Sequence, residues 1–536
     1  MWIRRSNVCS SGKIVGEAEY WAFPANDGLG VLDNGVHPEA NRSGVGRFFW
    51  PRAMGRAAEQ RMTRNRRVPP TVSRRDLMRK GAKLAAAATV LSAIPASLRP
   101  VAWAAGSEGL EKQKLSLGII PLTDCAPLVI AKERGYFEKF GLEVSLSREA
   151  SWANIRDKVT VGALDGAHML APIPLAATLG IGGLQQPMVT ALSLDLNGNA
   201  ITVSTELYQR MAAADPEGVA ESPMSARPLK RVIDSDRTAG RAPMVFGVTF
   251  PVSMHTYELR YWMASAGIDP NRDVRLVVVP PPQMVANLEA KNIVGYCVGE
   301  PWNSQAVASG IGRVLVTGYE IWNNSPEKVF GVTEAWAEQN PNTHRALLCA
   351  LLEAARWTDL DENRAEVVRI ISQPAYVDAS PGVVGMSMTG TFQYGAGEAA
   401  RPLPDFNVFH RYAAAFPWRS HAAWILTQMV RWGQVEHAVD LGKIAANVYR
   451  PDLFREAARA VGIPAPASDT KAEGTHSEAW SLRAVSPSSG STTIAMGPDR
   501  FVDGSVFDSL HLIPYLSSHW IDSRKVALDD LGQLNS

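Results

Sequence analysis

The sequence predicts an α/β protein with two lobes that face a shared cleft. Its 536 residues, 46% of them hydrophobic and 20% charged, are enough for two domains or more. From residue 114 onward, strand-like and helix-like segments alternate, as in a parallel sheet that helices wrap. After a polar, proline- and alanine-rich interval at 212–241 the alternation restarts. A second α/β unit is therefore inserted in the first, and each lobe is predicted to hold a mostly parallel sheet flanked by helices.

The first unit begins with a predicted strand at Lys114–Ile120, where polar and apolar residues alternate before Pro121. The next segment predicts a helix that ends near Gly135, and a later helix begins after Ser151, a favourable N-cap. Three more strands are predicted in this unit, at 142–149, 166–172 and 187–194.

The second unit repeats this order. Its strands are predicted at 244–250, 274–280 (a buried strand) and 294–299, and its helices at 255–268 and 282–292. Helical segments are predicted beyond it at Thr333–Trp357, at Asn363–Ser372 and in the Trp- and Tyr-rich region Phe406–Trp432. We assign 105–204 and 319–465 to lobe 1, 205–318 to lobe 2, and 466–536 to a Ser/Gly/Pro-rich tail that wraps the surface with little core of its own.

Composition and motifs exclude several classes of function. The net charge is +1, which gives no electrostatic case for binding nucleic acid or an anionic membrane. The four cysteines are far apart and lack metal-ligand spacing, so no zinc site and no disulfide framework is expected. No run of eighteen apolar residues predicts a membrane span. GxSxG, HExxH and Walker motifs are missing, and Cys125 beside Asp124 has no base indicated by the sequence, so we predict no enzyme and no cofactor.

An export signal is predicted inside the chain rather than at its start. The apolar core Leu84–Ile94 has 11 residues, too short to span a bilayer but typical of a signal peptide. Arg74 and Arg75 precede it in a twin-arginine pattern, and Ala102-Trp103-Ala104 follows as a cleavage site. We therefore predict a twin-arginine signal peptide at 62–104 with cleavage after Ala104, and a spurious or disordered extension at 1–61. The alternative is an alanine-rich amphipathic helix on a folded domain.

Long motifs carry a resemblance to a known family. The stretch PLTDCAPLVIAKERGYFEKFGLEVSL is similar to the opening of solute-binding proteins of ABC transporters. The stretches ASWANIRD, ALSLDLNGNAITVS, SMHTYELRYW, GYCVGEPWN and YEIWNNSPEKVFGVTEAW resemble the nitrate/bicarbonate branch, the NrtA/CmpA-like proteins. The resemblance covers about Lys114 to Phe507. It implies a two-lobed periplasmic-binding-protein fold of type 2, which closes on a small oxyanion in the interlobe cleft.

The resemblance also implies which residues bind the anion. Trp152 matches a ligand position and offers an indole N–H at a helix start; the alternative is a core tryptophan. Asn199 lies where many relatives carry a glutamine, and either amide donates to an oxygen; the alternative is a turn residue. His255 matches the site histidine of the family, at a helix N-terminus that favours the neutral ring; the alternative is a structural histidine.

Lys328 is predicted to set the choice of anion. Nitrate-type relatives carry a lysine at this place, whereas bicarbonate-type relatives carry a glutamate and use a calcium ion. A lysine neutralises a monovalent anion directly. The resemblance therefore implies nitrate or nitrite and disfavours bicarbonate, and no metal is assigned to the site; the alternative for Lys328 is a solvated surface lysine.

Three further residues are predicted near the cleft. Gln283 and Glu300 follow strands of the second lobe and are expected as closure or structural contacts first and as ligand contacts second. His168 is expected to end a strand, with a core position favoured over the cleft.

The predicted function is that of an extracytoplasmic nitrate- or nitrite-binding component of an ABC transporter. Its expected partners are the permease and its ATPase, and during export the twin-arginine translocase and signal peptidase. Its expected location is the periplasm, at the outer side of the inner membrane. Two alternatives stay open: a cytoplasmic nitrate/nitrite sensor that sequesters an RNA-binding antiterminator, and a bicarbonate-binding protein.

Overall fold

The computed structural model describes residues 109–535, and these residues form two α/β lobes whose main sheets are linked by two crossings of the chain, β4 to β5 and β9 to β10. The predicted fold class is confirmed. The predicted extension at 1–61 and the predicted signal peptide, with Arg74, Arg75 and the cleavage site after Ala104, lie outside the described residues. Within residues 109–535, no helix has both the length and the apolarity needed to cross a membrane.

The strands of the described residues are, in chain order, β1 (Lys114–Ile119), β2 (Glu143–Arg148), β3 (Gly166–Leu170), β4 (Met188–Asn197), β5 (Asn199–Ser204), β6 (Met244–Val248), β7 (Val274–Val278), β8 (Gly295–Gly299), β9 (Gly312–Thr317), β10 (Pro326–Thr333), β11 (Thr391–Phe392), β12 (Arg401–Pro402), β13 (Asn407–Val408), β14 (Ala465–Pro466), β15 (Trp480–Ser486) and β16 (Gly490–Met496).

The α-helices of the same residues are α1 (Ala126–Glu133), α2 (Tyr136–Lys139), α3 (Trp152–Thr160), α4 (Pro172–Leu179), α5 (Thr205–Ala214), α6 (Arg227–Thr238), α7 (Met254–Ser265), α8 (Met284–Glu289), α9 (Trp302–Ala308), α10 (Gly318–Ile321), α11 (Glu334–Gln339), α12 (Pro341–Thr358), α13 (Arg364–Ile371), α14 (Pro381–Met388), α15 (Arg419–Arg431), α16 (Leu441–Val448), α17 (Pro451–Ala460), α18 (Leu512–Ser517) and α19 (Leu528–Leu534).

Each lobe is built on one mostly parallel sheet, and its antiparallel strands are the strand that crosses from the other lobe and, in the first sheet, the short edge strand β13, which is antiparallel to β4. The first sheet has the order β13-β4-β10-β3-β1-β2, and the second has the order β7-β6-β8-β5-β9. Strands β2, β1 and β3 are parallel, as are β7, β6 and β8. The strand that enters from the other lobe runs against its neighbours: β10 is antiparallel to β3 and β4, and β5 is antiparallel to β8 and β9. The two crossing strands therefore bring side chains of both lobes to one place.

The first crossing depends on Gly198, which links β4 to β5. Its φ is +86°, and a Cβ atom there would come within 2.7 Å of the Asn407 side-chain oxygen. Glycine adopts this left-handed conformation without steric cost. The neighbouring Asn197 exchanges two hydrogen bonds with Ser325 of the second crossing, at 2.9 Å and 3.1 Å. The two crossings are thus held side by side.

Several predicted elements differ from the structure. Strand β5 belongs to the second sheet, so the chain leaves lobe 1 at Gly198 rather than at the predicted 204/205 boundary. Strand β7, predicted to be buried, is an edge strand with partly exposed side chains. The predicted helix at 333–357 is divided into α11 and α12 by Asn340 and Pro341, since proline disrupts a helix interior. In the region 406–432 only α15 is an α-helix, and β13 precedes it.

The C-terminal segment contributes to the core instead of only wrapping the surface. It forms the three-stranded sheet β14-β15-β16 and the helices α18 and α19. Phe501 and Phe507 are buried, and the Phe501 ring stacks on Trp322 with centroids 4.6 Å apart. Trp322 belongs to the second crossing, so this segment packs directly against that crossing.

Candidate functional site

The candidate site lies at the second crossing, where β10 begins. The pairing of β10 with β4 shifts register on both sides of Lys328. A shift of this kind breaks the strict alternation of side chains between the two faces of a strand. As a result the charged ends of two consecutive residues, Glu327 and Lys328, contact each other in the interior.

Lys328 is fully buried, which excludes the alternative of a surface lysine. Its Nζ lies 2.7 Å from Asp124 Oδ2, pairs with the Glu327 carboxylate, and is 5.6 Å from the centre of the Trp152 ring. Burial alone would lower the pKa of this ammonium group, but the charges of Asp124 and Glu327 outweigh burial and raise it. Lys328 is therefore a fixed positive charge inside the protein.

Trp152 is the first residue of α3 and is 1% exposed. The Ser151 side chain accepts a hydrogen bond from the backbone of Asn154 at 3.2 Å, as expected of the predicted N-cap, and this starts the helix at the tryptophan. The Trp152 ring contacts His168 edge-on at 5.2 Å, and its Nε1 has no hydrogen-bond partner within residues 109–535. This buried indole N–H is therefore available to donate a hydrogen bond to a ligand.

His255 lies in the first turn of α7 and is also fully buried. Its Nδ1 is 3.1 Å from the Thr249 hydroxyl and 3.5 Å from Glu327 Oε1, while Nε2 has no hydrogen-bond partner among the described residues. Burial, reinforced by the charge of Lys328, holds the pKa of His255 well below its usual value. The ring is neutral at physiological pH and offers one donor and one acceptor.

Asn199 is the first residue of β5 and comes from the first crossing. Its amide donates to two buried carboxyl groups, to Glu258 at 3.2 Å and to Glu327. Its Oδ1 has no hydrogen-bond partner in the part of the chain that the structure describes. The structure therefore brings all four predicted ligands, Trp152, Asn199, His255 and Lys328, to one cluster.

The same cluster contains four buried carboxyl groups that the sequence reasoning did not assign to the site: Asp124, Asp195, Glu258 and Glu327. Although burial opposes it, the charges of Lys328 and His168 hold the pKa of Asp124 below its usual range. Burial raises the pKa of the other three, that of Glu327 to about 7 and that of Glu258 to about 8. Asp124 is therefore the lasting counter-charge of Lys328. A signal for Glu327 was present, since a charged pair interrupts the apolar strand PEKVFGVT.

The three residues predicted near the cleft do not contact Lys328. His168 is interior to β3 rather than at its end, and its Nε2 lies 2.8 Å from Asp124 Oδ1, so it orients that carboxylate. Glu300 is buried and accepts from the Ser304 backbone N–H at 3.2 Å, and its own carbonyl accepts from Thr123 of the other lobe at 2.9 Å. Gln283 is exposed in a groove of about 310 Å³ lined by residues of both lobes, among them Arg148.

The described residues around the site include a buried thiol and no group of side chains that could hold a metal ion. Residues 109–535 contain no group of three or more His, Cys, Asp or Glu side chains placed to hold a metal ion. Cys125, next to Asp124, is a free and fully buried thiol. Burial and the Asp124 charge raise its pKa. A thiol in this state is a poor nucleophile.

Comparisons with known proteins agree on one family. The NMT1-like family matches residues 108–372. The nitrate/nitrite binding protein NrtA of Nostoc sp. PCC 7120 is 37% identical over 366 residues, 67% of this chain and 80% of the relative. The nitrate import ATP-binding protein NrtC of Synechocystis sp. PCC 6803 is 45% identical over 365 residues, 68% of this chain, and this chain spans about half (52%) of that relative's length.

A solved structure shows the same fold. The crystal structure of the periplasmic nitrate-binding protein NrtA from Synechocystis PCC 6803 matches with a TM-score of 0.67 and 32% sequence identity. The match covers 77% of this chain and 100% of the solved chain.

Proposed function

This chain belongs to the NrtA-like family of solute-binding proteins, and from that premise we propose that it captures nitrate or nitrite between its lobes for an ABC importer. The observation that carries the proposal is the convergence of Trp152, Asn199, His255 and Lys328 on one buried cluster at the two crossings. Two of these side chains, those of Trp152 and His255, hold polar nitrogen atoms without a partner among the described residues.

The chemistry of this cluster suits a small monoanion. Nitrate is planar, singly charged and a weak hydrogen-bond acceptor, so it needs a cation, a few neutral donors and exclusion of water. Lys328 supplies the cation, the Trp152 indole supplies a neutral donor, and the neutral His255 ring supplies a second donor in the tautomer that carries its proton on Nε2. A dianion such as sulfate would bring a second negative charge next to Asp124 and the other carboxyl groups. We therefore expect the site to reject it.

Both lobes supply ligands, which explains how capture is linked to closure. Lys328 and Trp152 belong to lobe 1, while Asn199 and His255 belong to elements of lobe 2. An anion held between them stabilises the closed arrangement of the lobes. The closed form is the state that an importer's permease recognises in this proposal.

Bicarbonate is a second candidate, favoured by the acidic residues around Lys328. A bicarbonate ion carries a hydroxyl that can donate to an ionised carboxylate such as Glu327, whereas nitrate has no hydrogen to donate. Nitrate is preferred because Lys328 provides a direct positive charge and no metal-holding cluster is found in residues 109–535.

Binding rather than catalysis is proposed as the activity. The thiols of Cys125 and Cys297 are buried and their pKa values are raised, so neither is poised as a nucleophile. Two of the relatives named above are a nitrate/nitrite binding protein and a periplasmic nitrate-binding protein.

Isothermal titration calorimetry tests this proposal on the purified chain. The ligands to compare are nitrate, nitrite, sulfate, and bicarbonate with and without calcium. We expect nitrate or nitrite to bind, and sulfate and calcium-free bicarbonate to bind far more weakly. Tight bicarbonate binding without nitrate binding would contradict the assignment.

Export is the remaining part of the proposal. We propose that the twin-arginine pair Arg74 and Arg75 directs the folded protein to the periplasm, where the permease and its ATPase are the partners. N-terminal sequencing of the protein recovered from the periplasm should give a first residue close to Ala105. Recovery of the uncleaved chain from the cytoplasm would instead favour the sensor alternative.

A further inference from the structure

Glu327 contacts three of the four residues that are proposed to bind the anion. Its Oε1 lies at the Lys328 ammonium and 3.5 Å from His255 Nδ1, and its Oε2 accepts from the Asn199 amide. A carboxylate, like nitrate, is planar and singly charged. We propose that the Glu327 carboxylate is an internal competitor of the anion, and that anion binding takes up one proton to neutralise it. This inference rests on the proposed function.

Charge balance is the first argument for this coupling. Lys328 is already compensated by Asp124, at 2.7 Å, and Asp124 is held in place by His168. If Glu327 stayed ionised, a bound anion would add a second uncompensated negative charge to a buried cluster. An uncompensated buried charge costs several kcal/mol. One proton from solvent, placed on Glu327, removes that cost and leaves the Lys328 ammonium and Asn199 amide to the anion.

Protonation also changes what Glu327 offers to the ligand. As a carboxylic acid it has an O–H that donates a hydrogen bond, which nitrate can only accept. As a carboxylate it repels nitrate but can accept a hydrogen bond from the hydroxyl of bicarbonate. The protonation state of Glu327 is therefore expected to set the preference between these two anions.

The groups around Glu327 allow it to take up the proton near neutral pH. The titratable and charged groups that face it are Lys328 on β10, Asp195 on β4, Asp124 in the turn before α1, His255 and Glu258 on α7, and Cys297 on β8. Lys328 stays charged, Asp124 stays ionised, and His255 stays neutral. Burial raises the pKa of Glu258 to about 8, so this group is largely protonated already. Burial raises the pKa of Glu327 to about 7, against the opposing charge of Lys328.

Nitrate affinity is expected to fall as the pH rises. Below the pKa of Glu327 the competitor is already neutral, and nitrate affinity is at its highest. Above it, each added pH unit makes protonation harder, and nitrate affinity falls by about tenfold per unit. Ionisation of Glu258 adds to the loss above pH 8.

Calorimetry on three proteins tests the coupling: the wild type, Glu327→Gln, and Glu353→Gln as a matched control. Glu353 is a largely buried acid of lobe 1 that pairs with Lys139 at 2.5 Å, away from the cluster. Nitrate is titrated from pH 6 to pH 8 in buffers of different ionisation enthalpy, so that proton uptake is measured directly. Thermal unfolding reports whether each variant is folded.

We expect the wild type and Glu353→Gln to lose about tenfold in nitrate affinity from pH 6 to pH 8 and to take up about one proton per nitrate at pH 8. Glu327→Gln, neutral at every pH, should bind about tenfold more tightly than the wild type at pH 8 and show a nearly flat profile. An unchanged pH profile in Glu327→Gln would overturn the inference. If that variant does not fold, an absence of proton uptake by the wild type at pH 8 would overturn it. If no folded protein binds nitrate at any pH, the proposed function itself has failed.

Discussion

Replacing Lys328 with methionine should abolish most of the anion affinity while leaving the fold recognisable. The change removes the buried positive charge and keeps most of the side-chain volume. A hydrogen bond to a charged group is worth about 1.5–3 kcal/mol, and two unit charges 4 Å apart attract by about 4 kcal/mol at an effective dielectric constant of about 20. Part of this is offset by the cost of removing the anion from water. We expect a net loss of about 3 kcal/mol, which is roughly a hundredfold in Kd for nitrate.

The same substitution has a cost in stability, because it leaves Asp124 without its ammonium partner. Breaking a buried ion pair costs about 3–5 kcal/mol, and His168, 2.8 Å from Asp124, can offset part of this by becoming protonated. Lys471→Met is the matched control, since Lys471 is a nearly buried lysine that pairs with Glu473 and with Asp499, the latter at 3.1 Å. Calorimetry and urea denaturation should show both variants destabilised, but only Lys328→Met impaired in binding. Nitrate affinity of Lys328→Met within about threefold of the wild type would refute the assigned role of the charge.

Other substitutions and a labelling experiment probe the rest of the account. Trp152→Phe removes the indole N–H but keeps an aromatic ring, so one hydrogen bond to nitrate, worth about 1 kcal/mol, is lost. Calorimetry should therefore show a nitrate affinity about fivefold to tenfold lower, and an affinity equal to that of the wild type would mean that Trp152 is not a ligand. Gly198→Ala places a residue with a Cβ atom in a left-handed backbone conformation at the first crossing. Urea denaturation should show a free energy of unfolding about 1–3 kcal/mol lower than that of the wild type, and a loss under about 0.5 kcal/mol would contradict the expected strain. The Cys125 thiol is buried and its pKa is raised, so it should react slowly with iodoacetamide. Peptide mapping at pH 8 should find Cys125 unmodified in the folded protein and modified in urea, and rapid alkylation of the folded protein would contradict this burial.

Local patterns in the sequence predicted most of the fold. The alternation in β1, the N-cap at Ser151 and the turn at Gly135 are short-range signals, and the structure confirms all three. The position of the crossing at Gly198 could not be predicted, because β5 reads as a strand whichever sheet it joins. The exposure of β7 was missed for a similar reason: an apolar run does not reveal that its strand lies at the edge of a sheet.

In the candidate site, too, residues within short motifs could be predicted, whereas their contacts with distant segments of the chain could not. Trp152, Asn199, His255 and Lys328 were recognised from motifs, each within its own short stretch, and the structure brings them together. The acidic partners Glu258 and Asp195 were missed because burial of a carboxyl group depends on elements far apart in the chain. Glu327 stood beside a predicted ligand, but only the register shift in β10 places both side chains in one cluster.

A crystal structure of the nitrate complex tests the central claim most directly. The account predicts one nitrate between the lobes, with an oxygen within hydrogen-bond distance of Lys328 Nζ and further contacts to the Trp152 indole and the His255 ring. The Glu327 carboxyl group is expected beside it. Nitrate bound at any other place, or a complex in which Lys328 keeps both of its carboxylate partners and does not contact the anion, would contradict the account.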